Sequence, residues 1–225
     1  MDDDARPTRQ QISDAVGPAG WRLILGDIYT QVEASSLAEG AEAALLSASA
    51  VGADGHGHLM VDVRTDRVVL RLQSADVGGI TGRDVRLAHE VSGALAGRGW
   101  NPTPGSGSVQ ALEIAIDALD IPLVQPFWKA ITGYADEPGS ELPAALIDPV
   151  GRGPSIWFQQ MDAPRPQRNR IHVDIDVPHE AAATRIDAAI AAGGRLLSDE
   201  EAPAFWVLAD PEGNEACICT WQGRD

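Results

Sequence analysis

The chain has 225 residues, 44% of them hydrophobic, enough to bury a sizeable core without a disulfide or metal staple. Seventeen Lys and Arg against 33 Asp and Glu leave a net charge of −16. That charge repels nucleic-acid phosphates and anionic membranes, so neither is an expected partner. No apolar run approaches the roughly 20 residues that cross a bilayer. The start, Met1-Asp2-Asp3-Asp4, is the reverse of a basic leader region, so no secretory signal is expected. Cys217 and Cys219, the only cysteines, sit too close together for a structural disulfide, and a cytoplasmic protein is expected.

In chain order, the acidic start through Arg6-Pro7 reads as a frayed tail. The first half then reads helix, two strands, helix, two strands, helix. Trp21 to Leu25 and Ile28 to Val32 form a predicted hairpin around Gly26-Asp27. Ala38 to Ala50 is alanine-rich and predicts a helix. Met60 to Val63 and Val68 to Leu72 flank Thr65-Asp66 as a second hairpin. Thr81 can cap a helix and Asp84 can answer from its third position, a variant capping box. Leu87, Ala88, Val91 and Leu95 follow at helical spacing and define a buried face. Residues 99–107 lie in a run carrying four glycines and two prolines from Gly97 to Gly107, too heavily punctuated for an element interior. They read as a linker between a domain over 9–98 and another over 108–225. Its Gly105-Ser106-Gly107 has neither a preceding strand nor the rest of a phosphate loop, so no nucleotide site is expected there.

The second half repeats one order twice. Gln110 to Asp117 alternates, with Leu112, Ile114 and Ile116 on one face and Glu113, Ala115 and Asp117 on the other. Asp120 can cap a helix striped by Leu123, Phe127 and Ile131; Pro126 inside it costs about 3 kcal/mol and predicts an irregular first turn. Ser155 to Gln160 is a strand. Ile171 to Val177 is the most regular alternation in the chain, with His172, Asp174 and Asp176 on one face. Pro178 opens a helix through Ile186 and Ile190, closed by Gly193-Gly194. Phe205 to Leu208 and Ala216 to Thr220 flank the turn from Asp210 to Asn214.

Three segments of this half, Asp120 with Phe127-Trp128, Arg170-Ile171-His172-Val173-Asp174, and Asp210-Pro211-Glu212-Gly213-Asn214-Glu215-Ala216-Cys217, resemble the glyoxalase-like branch of the vicinal oxygen chelate superfamily. The resemblance implies paired βαβββ modules curled into a half-barrel around a concave pocket. In metal-using members four pocket-facing residues hold a divalent ion that polarises vicinal oxygens of the substrate. Those positions fall here on Glu113, Gln159, His172 and Cys217, a mixed hard and soft set that suits neither magnesium nor a thiolate zinc site. No cofactor is therefore expected; a divalent metal, if one binds, would fall to Glu113, Gln159 and His172. Trp157 and Phe205 have faces that can stack a flat ligand.

The first half, over 9–98, resembles pterin-4a-carbinolamine dehydratase. The resemblance rests on Gly20-Trp21, the alanine-rich helix, and the run from Val61-Asp62-Val63-Arg64 through Asp76-Val77-Gly78-Gly79-Ile80-Thr81-Gly82-Arg83-Asp84. It implies a four-stranded antiparallel sheet with three helices, assembly through sheet edges into a dimer or larger homo-oligomer, and water elimination by histidines without a metal. The active-site pattern is depleted: the family's His-His-Pro falls on Gly57-His58-Leu59, its aromatic on Thr65, and its Thr-His on Ser74-Ala75. His58 and Asp84 match, and His56 is shifted by one residue, which reverses its side on an extended strand.

The expected fold is α+β, with the four-stranded antiparallel sheet and three helices followed by the paired βαβββ half-barrel. The expected function is a small-molecule enzyme of lyase or isomerase type with altered specificity. His58, Asp84 and His172 are its catalytic candidates; Glu113, Trp157, Gln159, Asp174, Phe205 and Cys217 are its substrate-binding candidates. The alternatives are a non-catalytic protein that sequesters or senses a metabolite, and a pterin-4a-carbinolamine dehydratase working through His56 and His58.

Overall fold

Alternation in the first half produces a sheet with one apolar face. The computed structural model describes residues 2–104, 110–139, 144–164 and 171–223; Arg170 and residues 105–107 of the expected linker lie outside them. The chain divides into two compact units, Met1–Ala111 and Leu112–Asp225.

In the first unit the elements run α1 (Arg9–Val16), β1 (Arg22–Ile24), β2 (Asp27–Glu33), α2 (Leu37–Val51), β3 (Leu59–Val63), β4 (Arg67–Leu72) and α3 (Gly82–Ala96). The strands form an antiparallel sheet ordered β1-β2-β4-β3. Register pairs Ile28 with Leu72, Thr30 with Leu70 and Val32 with Val68, so one face is buried residue against buried residue. All three helices share that core through Ile12 and Val16, Ala43 and Val51, and Leu87, Val91 and Leu95. Trp21 is fully buried, and its indole N–H donates to Ser92 Oγ at 2.8 Å.

Two expectations for this unit are corrected. The acidic start is not frayed: the carbonyls of Asp3 and Ala5 accept the N–H groups of Arg83 and Gly82, and both Asp3 carboxylate oxygens take Arg86. The first turn of α3 has N–H groups that no helical carbonyl can reach, and an acidic tail supplies both acceptors and counter-charge. The Gly/Pro-rich stretch is built into this unit as far as Thr103, whose backbone exchanges two hydrogen bonds with Gln31. Gly20 permits this, because a Cβ there would lie 2.1 Å from the Pro102 carbonyl oxygen.

The second unit is a tandem repeat. β5 (Glu113–Ala118), α4 (Ile121–Thr132), β6 (Ala135–Asp136), β7 (Leu146–Ile147) and β8 (Ser155–Gln160) make the first module; β9 (Asp174–Asp176), α5 (Ala182–Ala191), β10 (Arg195–Ser198), β11 (Phe205–Ala209) and β12 (Glu215–Cys219) make the second. In each, the first strand pairs parallel with the last, and the remaining pairs are antiparallel. One core joins them, with Phe127, Trp128 and Ile131 of α4 and Ile186 and Ala189 of α5 packed with Ile116, Ile156, Leu208 and Ile218 of the strands. Asp210, fully buried, accepts the Trp128 indole N–H and the Glu212 and Asn214 backbone N–H groups, while the Glu212 carboxylate accepts Leu119 and Asp120. The β11–β12 turn of one module thus clamps the start of α4 in the other.

Differences from expectation have local causes. α4 runs unbroken through Pro126, its start fixed by Asp120 Oδ1 accepting from Leu123 N–H. After Pro178 the chain makes a 3-10 turn before α5, which then closes on Gly193 and Gly194, whose N–H groups reach Ile190 and Ala189 carbonyls in a Schellman arrangement. The first strand starts at Glu113, leaving Leu112 exposed. The strand expected over 171–177 is only Asp174–Asp176, and Ile171 is 79% exposed. Its neighbour explains this: with Cys217 beside Asp174, Ile171 would pair at Asn214, which already belongs to the turn.

Candidate functional site

β12 lies between β11 and β9, so side chains of three strands meet on one face. Val207, Cys217 and Asp174 stand side by side across the sheet, and Phe205, Cys219 and Asp176 form the next row. Ala216 and Ile218 point the other way into the core, which forces Glu215, Cys217 and Cys219 to the open face. There they line a cavity of about 570 Å³ together with His172, Asp174 and Phe205. One ligand atom from each of His172, Asp174 and Cys217 lies within 4.8 Å of the other two. Cys217 is buried beneath; His172 and Asp174 are exposed at the cavity. Burial first, then the charge and the hydrogen bond of Asp174, push the Cys217 thiol up to about 12. A thiol so protonated is not a nucleophile at neutral pH. The imidazole nitrogen, carboxylate oxygen and sulfur are a donor set that fits a divalent ion of zinc type, with room on the cavity side for a further ligand.

The other candidates lie elsewhere. Glu113, Trp157 and Gln159 share one face of the first module's sheet, where Glu113 Oε1 accepts from Ser155 Oγ at 3.1 Å. Gln159 sits opposite Asp117, four residues along from Glu113, a separation of about 13 Å at strand rise. None of the three is among the described residues that line the cavity above, so the structure does not bring Glu113 and Gln159 to His172 and Asp174 there. The register of β5 on β8 keeps the first two apart. Sequence reasoning passed over Asp117, which the same alternation puts on Glu113's face. It lines a second cavity of about 510 Å³ with Ile114, Trp128, Val173 and Glu215.

In the first unit the structure joins His58 and Asp84. His58 Nδ1 lies 2.8 Å from Asp84 Oδ1, while Asp84 Oδ2 accepts from Ser74 Oγ at 2.7 Å and from the Thr81 N–H at 2.8 Å. Asp84 therefore both caps α3 and meets the histidine. It is fully buried and His58 is 9% exposed. His56 is exposed and is not part of this group of hydrogen bonds.

With this geometry in place, the second unit can be compared with known proteins. Residues 113–219 match the family model described as a glyoxalase-like domain. No curated protein matches the chain. Among solved structures, a glyoxalase-related enzyme from Fulvimarina pelagi is 18% identical with a TM-score of 0.39, over 49% of this chain and 87% of that one. A glyoxalase/bleomycin resistance protein/dioxygenase family enzyme from Burkholderia phytofirmans PsJN is 22% identical with a TM-score of 0.37, over 48% and 95%. A mutant of the fosfomycin resistance protein FosX from Listeria monocytogenes, complexed with Mn(II) and 1S,2S-dihydroxypropylphosphonic acid, is 12% identical with a TM-score of 0.40, over 49% and 90%.

Proposed function

We propose that the glyoxalase-like domain is a small-molecule enzyme of lyase or isomerase type whose working pocket is the cavity floored by His172, Asp174 and Cys217. The observation that carries this reading is the convergence of an imidazole and a carboxylate at the exposed wall of a cavity of about 570 Å³, with Phe205 beside them. Imidazole exchanges protons near neutral pH, and a carboxylate within reach can hold it in one tautomer or stabilise its charged form. Phe205 offers an apolar contact for the rest of the substrate. A divalent ion, held by His172, Asp174 and Cys217, would supply Lewis-acid polarisation of substrate oxygens.

The test is proton exchange. The full-length protein is incubated in heavy water with a panel of α-hydroxy ketones and thiol adducts of α-dicarbonyls, and deuterium wash-in at the carbon beside the carbonyl is followed by NMR. Exchange lost in His172→Ala supports the enzyme. Ligands that bind with no exchange on any panel member support the non-catalytic binder instead.

A second reading is favoured by the His58 and Asp84 pair. In it the first unit is a pterin-4a-carbinolamine dehydratase-like domain of low residual activity, with His58 as the proton-transfer group and Asp84 orienting it through Nδ1. Homo-oligomerisation through this unit's sheet is part of the proposal, since β1 and β3 each have one unpaired edge in the sheet order. Light scattering that returns a monomer at micromolar concentration would remove it. Cytoplasmic residence is supported by two free, buried cysteines.

A further inference from the structure

We infer that residues 2–5 form a salt-sensitive strap that closes the His58–Asp84 cluster by tying together the two chain segments that build it. The inference does not depend on reading that cluster as a catalytic centre.

The two segments are far apart in the chain. Asp84 stands in the first turn of α3. His58 follows the turn at Gly52–Gly55, where the Gly55 carbonyl accepts the His58 N–H at 3.1 Å. The strap holds the first segment directly. Its Ala5 and Asp3 carbonyls accept the N–H groups of Gly82 at 2.9 Å and Arg83 at 3.0 Å, the two residues before Asp84. N–H groups in a first helical turn have no intrahelical partner, so without the strap these two are left to solvent. Arg86 brings in the second segment. Its guanidinium donates to both Asp3 oxygens, at 3.1 and 2.7 Å, and to Asp54 at 3.0 Å, in the turn that precedes His58. One side chain thus joins strap, helix and turn around a histidine that is 9% exposed.

The same contacts are weak enough to release. The side chains of Asp3 and Arg86 are each 35% exposed, and that of Asp54 is 57% exposed. Ion pairs so exposed are screened by salt, whose Debye length falls from about 10 Å at 0.1 M to about 3 Å at 1 M. Arg83 is not fully engaged: its Nε is buried without a hydrogen-bond partner, and Asp3 Oδ2 lies 3.6 Å away. Residues 2–5 contribute no side chain to the core of this unit, whereas Leu87, Val91 and Leu95 fix the body of α3 there. The strap can therefore open while the helix stays folded, as segments with few buried contacts do.

The experiment uses the full-length protein. Amide exchange at Gly82 and Arg83 is followed by NMR at about 0.1 M and about 1 M NaCl, the two ends of that screening range. His58 is labelled with diethyl pyrocarbonate and quantified by peptide mapping, with exposed His56 and His89 as references. In high salt, and in Asp3→Asn or Arg86→Gln at low salt, both amides should exchange about tenfold faster, the combined effect of a few exposed ion pairs. Labelling of His58 should rise with them, while the amides from Leu87 to Leu95 stay protected. Asp54→Asn cuts only the tie to the turn, so it should speed His58 labelling and leave Gly82 and Arg83 unchanged. Glu90→Gln removes a carboxylate that Arg86 holds outside the strap, and should raise neither. Amides indifferent to salt and to Asp3→Asn would overturn the strap. Faster amides without faster His58 labelling, or unaltered labelling in Asp54→Asn, would overturn the closure. Protection lost along the whole of α3 would show unfolding in place of local opening and overturn both.

Discussion

The two polar clusters of this protein contain the same pair of residue types in opposite circumstances. In the first unit His58 and Asp84 are buried, and the carboxylate is saturated: His58, Ser74 and Thr81 all bond to it. In the second, His172 and Asp174 stand exposed on the wall of a cavity with Cys217 and Cys219 buried beneath. A buried polar network with every partner supplied rigidifies its surroundings. An exposed pair over a cavity keeps its donors and acceptors for a ligand. The difference teaches that a histidine beside an aspartate is not itself a site; the unfilled coordination around the pair makes one.

The comparison can be broken most forcefully by activity at the first cluster. On the dehydratase-like reading proposed for this unit, Gly57 and Ala75 fall where that pattern has histidines. Each lost acid-base group commonly costs 10²–10⁴-fold, so turnover of 4a-hydroxytetrahydropterin should be lower than that of an ordinary dehydratase by about 10⁴-fold or more. Rates comparable to ordinary dehydratases, abolished in His58→Ala, would show that the buried pair works as a catalyst after all.

Stability offers the next contrast. Asp84→Ala leaves the Thr81 N–H without its acceptor and takes the carboxylate from Ser74 and His58, which keep each other and the Thr81 hydroxyl, and should cost about 2 kcal/mol or more at 1–3 kcal/mol per unsatisfied group. For a unit of this size that lowers its Tm by roughly 8 °C or more in calorimetry. Asp174→Asn, on an exposed wall, should change stability by no more than about 0.5 kcal/mol. Equal losses in the two variants would erase the distinction.

The sequence reached one level of this and not the next. Alternation placed His172 with Asp174, and Glu215 with Cys217 and Cys219, because side-chain direction in a strand is local. Which of these faces meet depends on register between strands far apart in the chain, and alternation contains no register. That is why Glu113 and Gln159 seemed to converge with His172 while the β5–β8 pairing holds them four steps apart. The same limit misjudged β9, whose length is set by where β12 begins. The docked acidic tail was illegible for a related reason: its partners are the free N–H groups and arginines of α3, about 80 residues away. Caps, by contrast, were readable. Thr81 with Asp84, and Asp120, bond within three residues.

Thiol chemistry sharpens the picture of the second cluster. With its pKa pushed up to about 12, first by burial and then by Asp174, Cys217 in the metal-free folded protein should react with iodoacetamide at pH 8 at least about 100-fold more slowly than a free thiol. The folded state favours the neutral thiol. That contribution is therefore present below the unfolded value of about 8.5 and is lost as pH rises towards 12. Peptide mapping distinguishes Cys217 from Cys219. Removing the neighbouring charge in Asp174→Asn should speed the reaction; rapid alkylation in the wild type would mean that the thiol is not held beneath the pair.

The smallest effect is the one that addresses use of the cavity directly. His172 is exposed at the cavity wall, so its truncation removes a ligand contact without removing a core interaction. For whichever small molecule native mass spectrometry finds retained on the metal-free protein, His172→Ala should weaken binding about tenfold, the 1.4 kcal/mol of one good hydrogen bond to a polar partner. His58→Ala should leave that affinity unchanged, because its unit holds a separate, saturated network. The competing view is that His172 and Asp174 answer only each other. It predicts the same affinity in wild type and His172→Ala, measured by calorimetry, and an unchanged affinity there would move the ligand to the cavity lined by Asp117 and Trp128.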